Sequence, residues 1–215
     1  TDYAYYDVTV ASGVLSSNTT WPISDSPILV TGDVTVPDGS VLTIDPGVEV
    51  RFLPSTDDQN SGLNTSKSEF IVGGSIIAVG TASDSIRFLS NAPVSLFDDW
   101  SGFSMQSPDI IHFSHVSLQH ADNVFVGNAL GDSFRIADSY FRNLADNADF
   151  FHLSYSQIIQ LSGSNSIVIE DNRLEGFRNF LRRNSSDGGE ALTVYDGSMF
   201  MVSGNEFINL DDVFY

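Results

Sequence analysis

Apolar and polar residues alternate over short segments of this chain, and three of these segments share one longer pattern. The segments IADSYFRNL (136–144), IEDNRLEGF (169–177) and VSGNEFINL (202–210) each run from an aliphatic residue, through three small or polar residues, to two further apolar positions. Phe113 and Leu118 begin a shorter copy upstream of these three. Internal repeats spaced by a few tens of residues indicate a solenoid.

The repeating unit contains about 23 residues, because the longer copies are explained by insertions. We place these insertions near 54–67, 146–155 and 182–191. Apolar alternation with a period of two predicts short strands, and Gly, Asn, Asp and Ser mark the strand ends. A looser copy in the N-terminal half aligns Leu42 with Ile76 and Val50 with Ile86. Helices should be few, the best candidate being a short piece near the N-terminus.

A unit with three short strands and no helix cannot bury its apolar face alone, but it can when stacked on copies of itself at about 4.8 Å. The Leu-x-x-Leu-x-Leu-x-x-Asn signature of leucine-rich repeats is absent. The sequence therefore predicts an all-β parallel β-helix with three short strands per coil. We expect a single domain over 1–215, with a cap and lead-in at 1–33 and coils over 34–215.

Two passages carry a family resemblance. GSIIAVGTASDSIRFLSNAPVSLFDDWSG (74–102) resembles the Gly-x-Leu-x-Ala-x-Gly-Thr…Ile-x-Phe-x-Ser…Trp-x-Gly passage of secreted, right-handed parallel β-helix proteins of bacteria, and 19–52 resembles their first coils. The later copies are similar to the Asn-rich coils of the pectate-lyase-like superfamily. The resemblance covers nearly the whole chain and implies right-handed coils in a secreted or cell-surface protein. It implies no single activity, because the scaffold hosts lyases, hydrolases, epimerases, adhesins and structural proteins.

Stacked coils place equivalent residues directly above one another, so the alignment also predicts contacts. Asn172 and Asn205 should form an amide column, as in stacked Asn ladders. Arg173 should lie over Glu206, and Arg142 over Glu175, as exposed ion pairs. The predicted internal columns are Ile136, Ile169 and Val202, and Leu118, Phe141, Leu174 and Phe207. Val126, Ile159 and Leu192 should form a further column.

The charge balance narrows the choice of partners. The chain has 28 acidic and 9 basic residues, a net charge of −19, and a single lysine. Such a surface repels phosphate backbones and anionic membranes, which excludes nucleic-acid binding and favours cations or neutral partners. No apolar stretch approaches the ~18 residues of a membrane span, so membrane insertion is not expected. Without cysteine there are no disulfides and no thiolate metal sites.

Asp138 and Asp171 share a column, so their carboxyl groups should lie about 5 Å apart. Calcium accepts such oxygen-rich sites and is the candidate cofactor. The alternative is that both side chains point into water. His115 falls in the same column, which suggests a polar face, but the four histidines lack a metal-binding spacing.

Two loops contain candidate binding residues. Asp98, Asp99 and Trp100 in FDDW (97–100) could bind a sugar through ring stacking and carboxylate hydrogen bonds; the alternative is a turn before the Trp-x-Gly strand. Arg182 and Arg183 in RRNSSDGG (182–189) could bind an acidic polysaccharide from a flexible insertion; the alternative is that they neutralise nearby acids.

We therefore expect an extracellular or cell-surface module with a structural, adhesive or glycan-binding role. Its partners would be a polysaccharide or surface glycan, and further coils or a partner chain at the C-terminal end. The alternative is a polysaccharide lyase or hydrolase acting on an acidic polysaccharide, with Arg173 or Arg178 as a base near Asp138 and Asp171. No catalytic residue is assigned, because an Arg-x-Lys motif is absent.

Overall fold

The chain is built of short β-strands. The computed structural model describes residues 8–96, 98–106, 108–129, 132–142, 149–153, 159–161, 166–177, 179–183, 192–194, 199–209 and 212–214. In chain order the strands are β1 (Thr9–Val14), β2 (Thr19–Trp21), β3 (Ile28–Val36), β4 (Val41–Ile44), β5 (Glu49–Phe52), β6 (Phe70–Val72), β7 (Ser75–Val79), β8 (Ile86–Ser90), β9 (Phe103–Gln106), β10 (Ile110–Ser114), β11 (Val116–Gln119), β12 (Phe125–Ala129), β13 (Ser133–Ala137), β14 (Tyr140–Arg142), β15 (Asp149–Leu153), β16 (Ile159–Leu161), β17 (Ser166–Glu170), β18 (Arg173–Glu175), β19 (Asn179–Arg183), β20 (Leu192–Val194), β21 (Met199–Ser203), β22 (Glu206–Ile208) and β23 (Asp212–Phe214). Among these residues the one helical piece is a 3-10 turn at Ile23–Asp25, near the N-terminus as expected.

The strands form parallel sheets that wrap around one core. One sheet has 14 strands, in the order β22-β18-β14-β11-β8-β5-β3-β6-β9-β12-β15-β19-β23, with β1 paired to β3. A second has the order β2-β4-β7-β10-β13-β17-β21, and β16 pairs with β20. Strand β3 joins the two arms of the first sheet, because its first half pairs with β5 and its second half with β6. A coil such as β10–β11–β12 contributes one strand to each of three faces, which confirms the parallel β-helix.

The pairing register confirms the predicted period. Thr19 pairs with Leu42 and Ile110 pairs with Ser133, so each of these coils takes up about 23 residues of the chain. Ser133 pairs with Ser166, and Ser166 pairs with Met199, so the two later coils are longer and equal in length. Coils of different length therefore stack in register because the extra residues lie outside the strands of the two large sheets.

The predicted internal columns are present in the core. Their members pair in order along the axis: Phe113, Ile136, Ile169 and Val202 in one column, and Leu118, Phe141, Leu174 and Phe207 in the other. All of these side chains are buried except for Val202, which is exposed, and Phe207, which is partly buried.

Three placements differ from the sequence prediction. Val50 pairs with Phe88, not with Ile86, and this two-residue shift is invisible in an alternating pattern because both positions face inward. The expected boundary at 33/34 falls inside β3. Val126 pairs with His152, and not with Ile159, although Ile159 and Leu192 do pair.

The long coils carry their extra residues later than expected. The segment 146–155 contains β15, which pairs with β12 and β19 as an ordinary strand of the coil. The additional length follows β15 and β19, where the short strands β16 and β20 pair with each other. The segment 54–67 lies between β5 and β6, as predicted, and residues 184–191 of the third insertion lie outside the described residues.

Stacked aromatic rings fill the centre of the coils. Phe52 and Trp100 are 3.8 Å apart between ring centroids and nearly coplanar, at 8°. Phe70, Phe103 and Phe125 form a separate stack with centroid separations of 5.1 and 5.5 Å, and Phe103 meets Trp100 edge-on at 5.7 Å. All five rings are fully buried. Truncating one such ring to alanine typically costs about 3–5 kcal/mol, so each ring contributes strongly to the stability of the core.

A second column, of small polar residues, connects the coils at the turn after β10, β13, β17 and β21. The Asn172 Oδ1 atom accepts the backbone N–H of Ser139 at 3.0 Å, and its Nδ2 donates to the Ile136 carbonyl and to Asn205 Oδ1, both at 3.0 Å. Asn205 repeats the arrangement, accepting the Asn172 N–H at 3.0 Å and donating to the Ile169 carbonyl at 2.7 Å. The predicted amide column is confirmed.

Replacing Asn172 with alanine is expected to lower the free energy of unfolding by about 2–4 kcal/mol, because the buried N–H of Ser139 loses its acceptor and two donated bonds disappear. Asn205→Ala is the matched control. Asn205 is partly exposed, so water can replace its bonds and the expected loss is about 1 kcal/mol. Urea unfolding followed by circular dichroism measures both, and equal losses would contradict the role of burial.

Candidate functional site

Six side chains on successive coils form one column on the outer surface of the sheet. The strand register runs from β5 through β8, β11, β14 and β18 to β22, and the column consists of Glu49, Arg87, Ser117, Tyr140, Arg173 and Glu206. Their neighbours in the strands point into the core, because successive side chains of a strand alternate between faces. The outer surface thus presents one column residue about every 4.8 Å.

An open, polar groove runs beside this column. Its larger part has a cavity volume of about 490 Å³ and is lined by Ser117, Tyr140 and Arg173 among others. A smaller part of about 430 Å³ contains Arg87. Ser85 and Ser117 line both parts, so the two parts of the groove adjoin each other.

The wall of the groove is formed by turn residues with a left-handed backbone. The φ angles are 51° at His115, 50° at Asp138, 53° at Asp171 and 65° at Gly204. Asp, Asn, His and Gly are the residues that adopt this conformation most readily. A side chain at Gly204 would also overlap the carboxylate of Asp171. The acidic column predicted at Asp138 and Asp171 therefore has a conformational cause.

Tyr140 is fixed in the groove by charged neighbours. Its hydroxyl donates to Glu175 Oε2 at 2.8 Å, and the Arg173 guanidinium carbon lies 5.8 Å from the ring centroid. Burial and the hydrogen bond to Glu175 raise the pKa of Tyr140 above its usual value. That hydrogen bond, with Arg142 and Arg173 nearby, lowers the pKa of Glu175. At neutral pH the groove therefore presents a neutral phenol ring held by an ionised carboxylate.

The two predicted ion pairs between coils are confirmed. Arg173 lies 3.0 Å from Glu206 and 3.5 Å from Glu175, and Arg142 lies 3.9 Å from Glu175. Exposed pairs of this kind contribute at most about 1 kcal/mol each to stability. Their main effect is that the positive charges on this face are neutralised by carboxylates.

The predicted stacking of Trp100 on a sugar is wrong. Trp100 is fully buried, its ring stacks on Phe52, and its indole N–H donates to the Gln119 carbonyl at 2.9 Å. No face of the ring is available to a ligand. An aromatic residue beside two acids has the same sequence signature whether it lines a binding site or anchors a turn.

Asp98 and Asp99 instead attach the segment 54–67 to the coils. The Lys67 ammonium donates to Asp98 Oδ2 at 2.8 Å, and the Ser55 N–H donates to the Asp99 carbonyl at 3.0 Å. The buried Asp99 carboxylate accepts the Leu96 N–H at 2.9 Å. These contacts match the alternative of a turn before the Trp-x-Gly strand.

Two buried carboxyl groups, on Asp33 and Glu69, anchor the same segment. Ser61 donates its hydroxyl to Asp33 Oδ2 at 2.6 Å, and the N–H groups of Leu63 and Asn64 donate to Glu69 Oε1. Burial raises the pKa of Glu69 to about 7, opposed by those two N–H groups and reinforced by the charge of Asp33. Burial likewise raises the pKa of Asp33.

The remaining candidates receive less support. Arg182 and Arg183 are the last residues of β19, paired with β15, so their backbone belongs to a strand and not to a flexible insertion; their side chains lie outside the described residues. Arg178 also lies outside them. Within the described part of the chain, no group of three or more His, Asp or Glu side chains is placed to hold a metal. The calcium site at Asp138 and Asp171 stays a prediction.

The sequence did not single out the groove or the buried acids. The column of Ser117, Tyr140 and Arg173 follows from the same spacings as the core columns, so the alignment contained that signal. An alignment does not show which outward column borders a depression in the surface. The burial of Asp33 and Glu69 has no signal in the sequence pattern, because it depends on how segment 54–67 folds back on the coils.

Comparisons with protein-family models, curated proteins and solved structures gave no match. In the described ranges, no helix has the length and apolar character needed to cross a membrane.

Glu69→Gln is expected to change the pH dependence of stability. A carboxyl group whose pKa is higher in the folded state contributes most when protonated, so its contribution is full below its ordinary pKa of 4.5 and is lost as the pH rises through about 7. The wild type should therefore lose up to about 3 kcal/mol relative to Glu69→Gln over this range. Urea unfolding of both proteins at several pH values measures the difference.

Glu206→Gln, which alters an exposed glutamate, is the control for this experiment. Comparing each variant with the wild type at one pH cancels the contributions of His112 and His120, whose pKa values burial lowers. A difference between the wild type and Glu69→Gln that stays constant with pH would contradict the assignment.

The conformational origin of the acidic wall can be tested at Asp171. Asp171→Gly should keep nearly the wild-type melting temperature, whereas Asp171→Val should lose about 1–2 kcal/mol because a β-branched residue resists positive φ. Thermal unfolding is measured in calcium and in EDTA. A calcium-dependent stabilisation that disappears in Asp171→Gly would instead support a metal site.

Proposed function

We propose that this protein is a glycan-binding module that holds a polysaccharide chain in the groove along its outer sheet face. The observation that carries the proposal is the polar groove, which is lined by a tyrosine and by carboxylates along one wall. Tyr140 contributes the ring, and Asp138 and Asp171 contribute the carboxylates.

The groups in the groove suit the chemistry of sugars. A sugar offers hydroxyl groups in fixed directions and apolar C–H surfaces, which bind carboxylates and aromatic rings respectively. The hydroxyls of Ser85 and Ser117 add further hydrogen-bonding groups. Tyr140 is already held by Glu175 and Arg173, so little ordering is required when a ligand binds.

The stacked coils support the same role. A solenoid offers a long, rigid surface that suits an extended ligand. The resemblance to secreted β-helix proteins of the pectate-lyase-like superfamily favours membership of that group and an adhesive or structural role outside the cell.

Cleavage of the glycan is a weaker alternative. A lyase needs a base that can take a proton from the sugar, and Arg173 is the sequence candidate within the described residues. Burial lowers the pKa of Arg173, but Glu206 and Glu175 together outweigh this and raise it above its usual value. Arg173 therefore keeps its proton, which favours binding over catalysis.

Tyr140→Ala is expected to weaken glycan binding about tenfold, because losing the ring contact costs roughly 1.4 kcal/mol. Tyr140→Phe should retain most of the affinity. Arg173→Ala should also weaken binding, since it releases Tyr140 and Glu206. A glycan array identifies ligands, and isothermal titration calorimetry measures the affinities.

Arg135→Ala is the matched control for Arg173→Ala. Arg135 also pairs with a glutamate of the next coil, Glu170, and is similarly exposed, but it lies on the seven-stranded sheet away from the groove. Equal losses in both variants, or no binding to any glycan on the array, would contradict the proposal.

A further inference from the structure

We infer that the groove selects a neutral, extended, β-linked polysaccharide that lies parallel to the axis of the β-helix with one sugar per coil. This inference rests on the proposed function and adds the class of ligand. Its basis is the agreement between the repeat of the groove and the repeat of such a glycan, together with the distribution of charge along the groove.

The spacing of the coils matches an extended glycan. Equivalent groups recur along the groove every ~4.8 Å, the separation of paired strands. A β-1,4-linked glucose chain advances by nearly the same length per sugar and stays straight. Successive sugars would therefore meet successive members of the column Arg87, Ser117, Tyr140, Arg173 and Glu206. An α-1,4-linked glucose chain coils and leaves this line after a few sugars.

The positive charges beside the groove are already paired. Arg87 lies 2.6 Å from Glu49, and Arg173 lies 3.0 Å from Glu206. A uronate chain would have to break these pairs to gain a cation. Each such exchange breaks one ion pair in order to form another and gains little.

The negative charges of the groove are more open. Asp84, Asp138 and Asp171 line it and are exposed, and no ion pair to them is present among the described residues. Two like charges at contact distance repel each other even in water. A uronate chain would meet this repulsion at several sugars, in a protein whose net charge is −19. The acidic polysaccharide considered from the sequence is therefore the disfavoured ligand.

The same carboxylates suit a neutral sugar. An ionised carboxylate accepts short, strong hydrogen bonds from hydroxyl groups. Asp138 and Asp171 belong to neighbouring coils, so they would accept bonds from neighbouring sugars of an extended chain. Both residues have the same left-handed backbone, with φ angles of 50° and 53°.

The test compares three hexasaccharides by calorimetry: cellohexaose, maltohexaose and hexagalacturonate. Cellohexaose should bind at least about tenfold more tightly than maltohexaose, and hexagalacturonate should bind most weakly. Within the cello-oligosaccharide series, affinity should rise with each sugar up to about five, the number of column positions along the groove. Equal affinity for the two neutral hexasaccharides, or saturation at two sugars, would overturn the inference.

Asp138→Asn and Asp171→Asn provide the matched variants, because asparagine also adopts positive φ and the fold is retained. Together they should weaken cellohexaose binding several-fold and strengthen hexagalacturonate binding. If hexagalacturonate binds the wild type most tightly and Tyr140→Ala removes that binding, the inference fails while the proposed function stands. If no oligosaccharide binds, both fail.

Discussion

Backbone hydrogen bonding between successive coils is the constraint on which the rest of this structure depends. Because every coil pairs in parallel with the next, residues that are one repeat apart in the sequence lie directly above one another along the axis. The aromatic centre, the amide column at Asn172 and Asn205, and the ion pair of Arg173 with Glu206 are all consequences of this one register. The groove follows from it too, since an outward column remains straight only while the register holds.

Much of the fold could be predicted from the sequence, because the repeat length determines which residues of successive coils pair with each other. The internal column of Ile136, Ile169 and Val202 follows from their spacing in the sequence alone. Alternation does not resolve a shift of two residues, which is why Val50 was aligned with the wrong partner. Segment 146–155 was misplaced for a related reason: an apolar strand and an apolar insertion look alike until their partners are known.

The candidate site was harder to predict. Whether a side chain can contact a ligand depends on its burial, and the sequence pattern does not show which polar or aromatic residues are buried. Trp100 has the type of side chain that often binds sugars, but it is buried in the core. Tyr140 stands out only once the coils are stacked and the depression beside it is visible. The wall residues Asp138 and Asp171 were found from the sequence, although their conformational cause lies in the positive φ of the turn. One backbone requirement thus supplies both a turn and a row of hydrogen-bond acceptors.

The segment 54–67 changes how the N-terminal half of the protein responds to a mechanical pulling force. In a simple solenoid each coil contacts only its neighbours, so coils can peel away one at a time. Here Asp33 of β3, Glu69 beside β6 and Asp98 ahead of β9 are all bonded to this one segment. Pulling on any one of these coils strains the others, so the region should resist unravelling as a unit and rupture in a single step.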